Sequence, residues 1–179
     1  MGVIAIAATI ATCGAAAPVA SSLVATTVTT SLALTASGAV TATGITMTYA
    51  AATDSAMVMD ISCSIGKKVP AYVKSGASVI IDFSDDGGIY GYSHIGGGIG
   101  KSVGVSYSVG LVDNFSKPED YSNHFYDINY NNDLGFDHCF DPTRKYSETT
   151  KATSLSFGIG KSFGVGYDNY SSPYIMVKW

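Results

Sequence analysis

The chain has 179 residues, ten Lys and Arg against fourteen Asp and Glu, a formal net charge of −4 and three cysteines. That length holds about one domain with room for an appendage. The acidic balance lacks the basic footprint of a nucleic-acid binder, so nucleic acid is not an expected partner. Cys13, Cys63 and Cys139 are scattered, with no C-x-x-C among them, which speaks against a zinc knuckle or a dithiol redox pair.

Met1 to Thr53 contains no charged residue; the first is Asp54. The segment is dominated by Ala and Thr, with Ser and Gly, and is long enough for two spanning helices of about 20 residues each. The expected division is a helical hairpin of Gly2–Val24 and Leu32–Ala52, with a break near Pro18 and Ser21–Ser22. Such spans insert weakly, because Leu, Ile and Phe are scarce, while Gly38 and Gly44 suit close helix packing. No basic n-region marks a signal peptide. The alternative is a pair of small-residue helices packed inside a soluble protein. Residues 1–66 therefore read as an apolar, membrane-active or translocation segment, with Gly2, Val24, Leu32 and Ala52 bounding its membrane-facing stretches. Residues 67–75 read as a linker, where Lys67–Lys68 would suit an anionic lipid surface.

Beyond residue 76 the hydrophobic period becomes two. Ser78–Phe83 reads as a strand, Asp85–Gly88 as a hairpin turn and Ile89–Tyr92 as the returning strand. Two near-copies follow, Gly98–Tyr107 and Gly158–Tyr167, identical at eight of ten positions. Both contain Gly-Lys-Ser, but Ile95 and Leu155 stand where a phosphate loop needs its first glycine, and a strand follows in place of a helix. Each copy is bulky on one face and nearly bare on the other. Gly100, Gly104, Gly160 and Gly164 are accordingly structural, allowing a close approach or a sharp bend. Tyr174–Trp179 reads as the final strand. The fold class is α+β: the helical hairpin, then a Gly-rich antiparallel sheet or small barrel over 76–179.

Between the copies lies a polar insert, 114–150, rich in Asp, Asn, Tyr and His. The opening Asp127-x-Asn129-x-Asn131 resembles a calcium loop but lacks its turn glycine and its closing Glu. His124 and His138, with Asp127, Asp137 or Glu148, are acid–base candidates, and Arg144 with Tyr90 and Tyr92 would complete a phosphodiester- or sugar-directed site. No motif fixes such a site, and no cofactor or metal is expected.

The order of parts resembles the C-terminal variable end of polymorphic toxins of the Rhs/YD-repeat kind. The likeness rests on the Ala/Thr/Gly stretch Gly2–Ala52, then "DSAMVMDIS", then the Gly/Tyr β-domain. It implies delivery into a neighbouring cell and a cognate immunity protein that blocks the module; the expected localisation is secreted or delivered into a target cell, with membrane association expected from the charge-free segment. Membrane insertion or pore formation is the favoured function, with membrane lipid as partner and homo-oligomerisation required for a pore. The alternatives are an enzymatic toxin, a nuclease or nucleotide-targeting transferase working from the insert, and a self-assembling secreted structural protein.

Overall fold

A computed structural model describes residues 23–66 and 70–179. One helix, α1 (Leu23–Ala52), precedes six strands: β1 (Ala56–Gly66), β2 (Ala71–Asp82), β3 (Gly88–Asp113), β4 (Asn123–Phe140), β5 (Lys151–Tyr170) and β6 (Tyr174–Lys178). The architecture is α+β, one helix on a largely antiparallel sheet. The first arm of the expected hairpin, with Gly2, lies outside the described residues, as do Lys67 and Lys68. The second arm is present but starts earlier, at Leu23, so that Val24, Leu32 and Ala52 share one helix.

The helix has no charges, and threonines help to satisfy it. Thr41, Thr43 and Thr48 each donate to the carbonyl four residues back, at 2.7–3.0 Å. The helix ends where Asp54 turns left-handed (φ 49°) and the Ser55 amide reaches the Ala50 carbonyl at 2.9 Å, a Schellman-type closure. Small residues let it lie close to the sheet: Ala39 and Ala50 pack with Met57, Val109 and Phe157. A Cβ on Gly38 would stand 3.1 Å from the Phe157 ring, whereas one on Gly44 would meet nothing within 4 Å. Among the described residues, no helix is long and apolar enough to cross a membrane.

The expectation of helix or linker up to residue 75 is corrected. Ala56–Gly66 is a strand, paired along its length with Ala71–Asp82. Its alternation separates Met57, Met59 and Ile61 from Val58, Asp60 and Ser62, with Met57 and Met59 under α1. About half of the polar insert is likewise strand: β4 pairs with β5 along nearly its whole length, with a bulge at Asp133.

Sheet order is β1-β2-β3-β5-β4, with β6 on the start of β3. β3 changes partner midway: residues 88–99 pair with β2 and residues 102–112 with β1. Gly100 sits at the changeover with φ +143°, a conformation that favours glycine. The sheet thus folds over itself, but the expected alternative of a small barrel is corrected: the strands do not close, and β4 is an edge. The near-copies lie directly against each other, with Ser102 opposite Ser162, Gly100 opposite Gly164 and Gly104 opposite Gly160. The C-terminus is tied down as the sequence suggests, with Trp179 Nε1 donating to the Ser84 carbonyl at 3.1 Å.

Inside the fold, one end is apolar. Tyr92, Tyr121, Phe125 and Tyr170 form an aromatic cluster with ring centroids 4.9–5.5 Å apart, closed by Val58, Ile80 and Val112. Burying each large apolar side chain contributes about 1.5–3 kcal/mol. Past this cluster the interior becomes polar.

Candidate functional site

The polar interior begins with a layer of ionisable side chains pointing inward from five strands. Lys74 on β2 reaches Asp168 on β5 at 2.8 Å, and Asp127 and Asp137 on β4 at 3.2 and 3.6 Å. His94 Nε2 on β3 lies 2.9 Å from Asp60 Oδ1 on β1, and the Ser78 hydroxyl donates to the same oxygen at 2.6 Å. His94 also stacks on Tyr170 at 4.9 Å. Lys74, His94, Asp60, Asp127 and Asp168 are all buried.

Glycines make the room for this layer. A Cβ at Gly76 would strike His94, one at Gly96 would strike Asp168, and those at Gly98, Gly164 and Gly166 would strike Tyr72. The bare face of the near-copies is therefore the floor on which Tyr72 lies.

Charge balance fixes the protonation of the layer. Burial alone would lower the Lys74 ammonium, but Asp127, Asp137 and Asp168 hold it well above its ordinary value. Burial likewise opposes a charged His94, yet the Asp60 charge and hydrogen bond raise it. Burial pushes Asp60 and Asp127 upward; His94 and Lys74 respectively outweigh that and hold them low. Burial and the Asp127 charge push Asp137 well above the carboxylate range. The proton is accordingly favoured on Asp137 over its neighbour Asp127, which Lys74 holds low. Burial, then the Asp127 charge, raise Asp168 despite Lys74. Burial pushes Tyr72 up to about 12.

Among the described residues, no group of three or more His, Cys, Asp and Glu could hold a metal ion; the Lys74 ammonium occupies the centre of its three carboxyls.

Beyond Lys74 the interior opens into a narrow groove with a cavity volume of about 30 Å³, room for about two waters. One wall is a ladder of hydroxyl pairs between β1 and β3: Ser62 with Ser106 at 3.0 Å, and Ser64 with Ser102 at 2.5 Å. The other carries Asn129 and Asn131 of β4 and Ser156 of β5. Gly104 and Gly160, both at positive φ, leave the floor bare.

The residues singled out as catalytic candidates are dispersed. His124, near the start of β4, is exposed and lies 5.0 Å from the Tyr167 ring. His138, near the other end, bonds Thr153 and Tyr146. Arg144 approaches Asp120 at 3.7 Å, and Glu148 is exposed in the following loop. Asp127 and Asp137 do meet, but around Lys74 and not around either of those histidines. Cys139 is a buried thiol against the Tyr121 hydroxyl at 3.4 Å, and burial raises it.

The outer face is the converse of the interior. Ile128, Val165 and Ile99 are register partners on β4, β5 and β3, and are 40, 59 and 75 % exposed. Tyr130 beside Phe163, and Val73 beside Ile65 beside Val103, continue the exposed apolar surface.

Comparison of the chain with protein-family models, curated proteins and solved structures gave no match. Function has to be read from this chemistry alone.

Proposed function

We propose that the chain is a membrane-acting module whose outer sheet face meets lipid. The observation that carries this is the exposed row Ile128–Val165–Ile99, continuous across three paired strands. A soluble sheet turns its bulky alternation toward its core. Here the bulky residues face out and the small polar ones face in, the alternation of a lipid-facing wall. Single exposed apolar residues are ordinary, whereas contiguous ones mark an interaction surface. Val40, Ile45 and Tyr49 on the open side of α1 extend the same apolar exterior.

One copy offers no water path from end to end, because the aromatic cluster and the ionic layer fill the interior beyond the groove. A pore therefore needs several copies, and the unpaired edge of β4 is the place where strands can add. In the toxin setting that the order of parts resembles, the module is delivered to a target cell and held in check by an immunity protein. Dye release from liposomes by the full chain tests membrane action: release supports it, and intact vesicles with no bound protein contradict it. The enzymatic alternative has less behind it, since His124, His138, Arg144 and Glu148 share no centre. Expression of a His124→Ala/His138→Ala variant that folds but has lost toxicity would restore that alternative.

A further inference from the structure

We infer that the lipid surface this module meets is anionic, and that Lys101 and Lys161 bind its headgroups from within the apolar outer face. The inference rests on the membrane reading above and adds the class of lipid to it.

Lys101 on β3 and Lys161 on β5 stand at the end of the fold where Ile65 pairs with Val73 and Val103. They are diagonal neighbours across two paired strands: Lys101 lies opposite Phe163, and Val103 lies opposite Lys161. Along its own strand face Lys101 is flanked by Ile99 and Val103, both exposed. The two lysines are themselves exposed, and neither forms an ion pair with a described residue. Like charges on neighbouring strands disfavour one another, so an anionic surface lying across both relieves that repulsion.

Charge is sorted between the two ends of the fold. Exposed Asp54, Asp85, Asp86, Asp113, Glu119 and Glu148 all lie in connections at the far end, where Ala56 pairs with Asp82 and Val112. The other exposed carboxylate, Asp133, sits at the β4 bulge beside Asn132, which pairs with Lys161. A chain of net charge −4 therefore carries a surplus of positive charge on its exposed apolar surface. An anionic leaflet attracts that end and repels the far one, which orients the chain as it arrives.

Lysine suits this position. Its four-carbon stem lies along apolar neighbours while the ammonium reaches the headgroup phosphates. Each lysine near such a surface tightens binding about fivefold, and the pair about thirtyfold. A second copy is a poorer occupant. A two-fold contact through this face would bury the lysines of both chains, with Asp133 as the nearby carboxylate to pair with them.

The test is co-sedimentation of the full chain with vesicles of phosphatidylcholine alone, and with roughly one third phosphatidylglycerol, in about 0.1 M salt. The chain should bind the anionic vesicles at least about tenfold more tightly than the neutral ones. That preference should fade in about 0.5 M salt. Lys101→Gln with Lys161→Gln should lose most of it; if that variant fails to fold, Lys101→Met with Lys161→Met keeps the stems and takes its place. Lys145→Gln with Lys178→Gln removes the same net charge from exposed positions at the far end and should keep the preference. Equal binding to both vesicles, a preference indifferent to salt, or an equal loss in both double variants overturns the inference and leaves the membrane reading standing. Binding to neither vesicle removes both. A chain that ignores vesicles but sediments as a dimer, and as a monomer with Ile99→Asp, assigns the face to a second copy.

Discussion

Lys74 Nζ and Asp168 Oδ2 stand 2.8 Å apart in the interior of the sheet, joining β2 to β5 across the fold. Asp127 and Asp137 complete the set from β4. Removing the cation would leave carboxyls buried without it, a loss that typically costs about 3–5 kcal/mol. Lys74→Met should therefore lower the melting temperature strongly at pH 7. The deficit should shrink toward pH 4.5, where the stranded carboxyls take up protons. An equal deficit at both pH values in thermal melts would contradict the ionic role.

The wild-type pH profile follows from the same layer. Asp60 and Asp127 are held below 3.8, so their contribution is present above that value and lost as pH falls through their folded values. His94 is raised above 6.5, so its contribution is full below 6.5 and lost as pH rises through its folded value. Asp137 is raised from 3.8 and favours the proton in the folded state, which costs stability as pH climbs above 3.8. Stability should thus peak in mildly acidic solution and decline toward pH 8. Asp137→Asn, which removes the raised carboxyl and cannot ionise, should flatten the alkaline decline in chemical denaturation measured from pH 4 to 8.

The glycine floor makes a coupled prediction. A Cβ at Gly166 strikes the Tyr72 hydroxyl, and one at Gly164 meets the Tyr72 ring at 2.7 Å. Gly164→Ala should destabilise by about 1–3 kcal/mol through overpacking. Gly166→Ala should cost less in a Tyr72→Phe background than in the wild type, with a coupling of about 0.5–3 kcal/mol. Gly44→Ala on α1, where nothing lies within 4 Å, should instead stabilise by about 0.5–1 kcal/mol. Denaturant unfolding of these variants checks all three signs.

Lys101 and Lys161 of the two Gly-Lys-Ser stretches are exposed on mid-strand positions. Lys101→Ala and Lys161→Ala should leave melting unchanged, and neither ATP nor GTP should shift the wild-type transition. A nucleotide-dependent rise that the lysine variants lose would reinstate a phosphate site.

The strands were readable because period-two alternation is explicit from Ser78 onward and in both near-copies. The start of the sheet was not, since Met57 and Met59 continue the apolar character of α1 against which they pack. The ionic layer was hidden for a different reason. Alternation reports two faces but not which one is inside, and Asp127, Asn129 and Asn131 resembled an incomplete calcium loop in a polar insert, not the buried face of a strand. Lys74 lay in the presumed linker, and His94 had no neighbour in sequence to suggest Asp60. The glycines were the available signal: Gly76, Gly96 and Gly98 each stand where a partner strand presents a large polar side chain.

The central claim is that the outer apolar face meets lipid, and flotation of the full chain with phosphatidylcholine/phosphatidylglycerol vesicles tests it most directly. The chain should rise with the vesicles. Ile99→Asp with Val165→Asp, two exposed partners in direct register, should stay at the bottom of the gradient with unchanged melting, because a charge on a lipid-facing wall opposes insertion. A wild-type chain that stays down, or a double variant that floats equally well, would contradict the account.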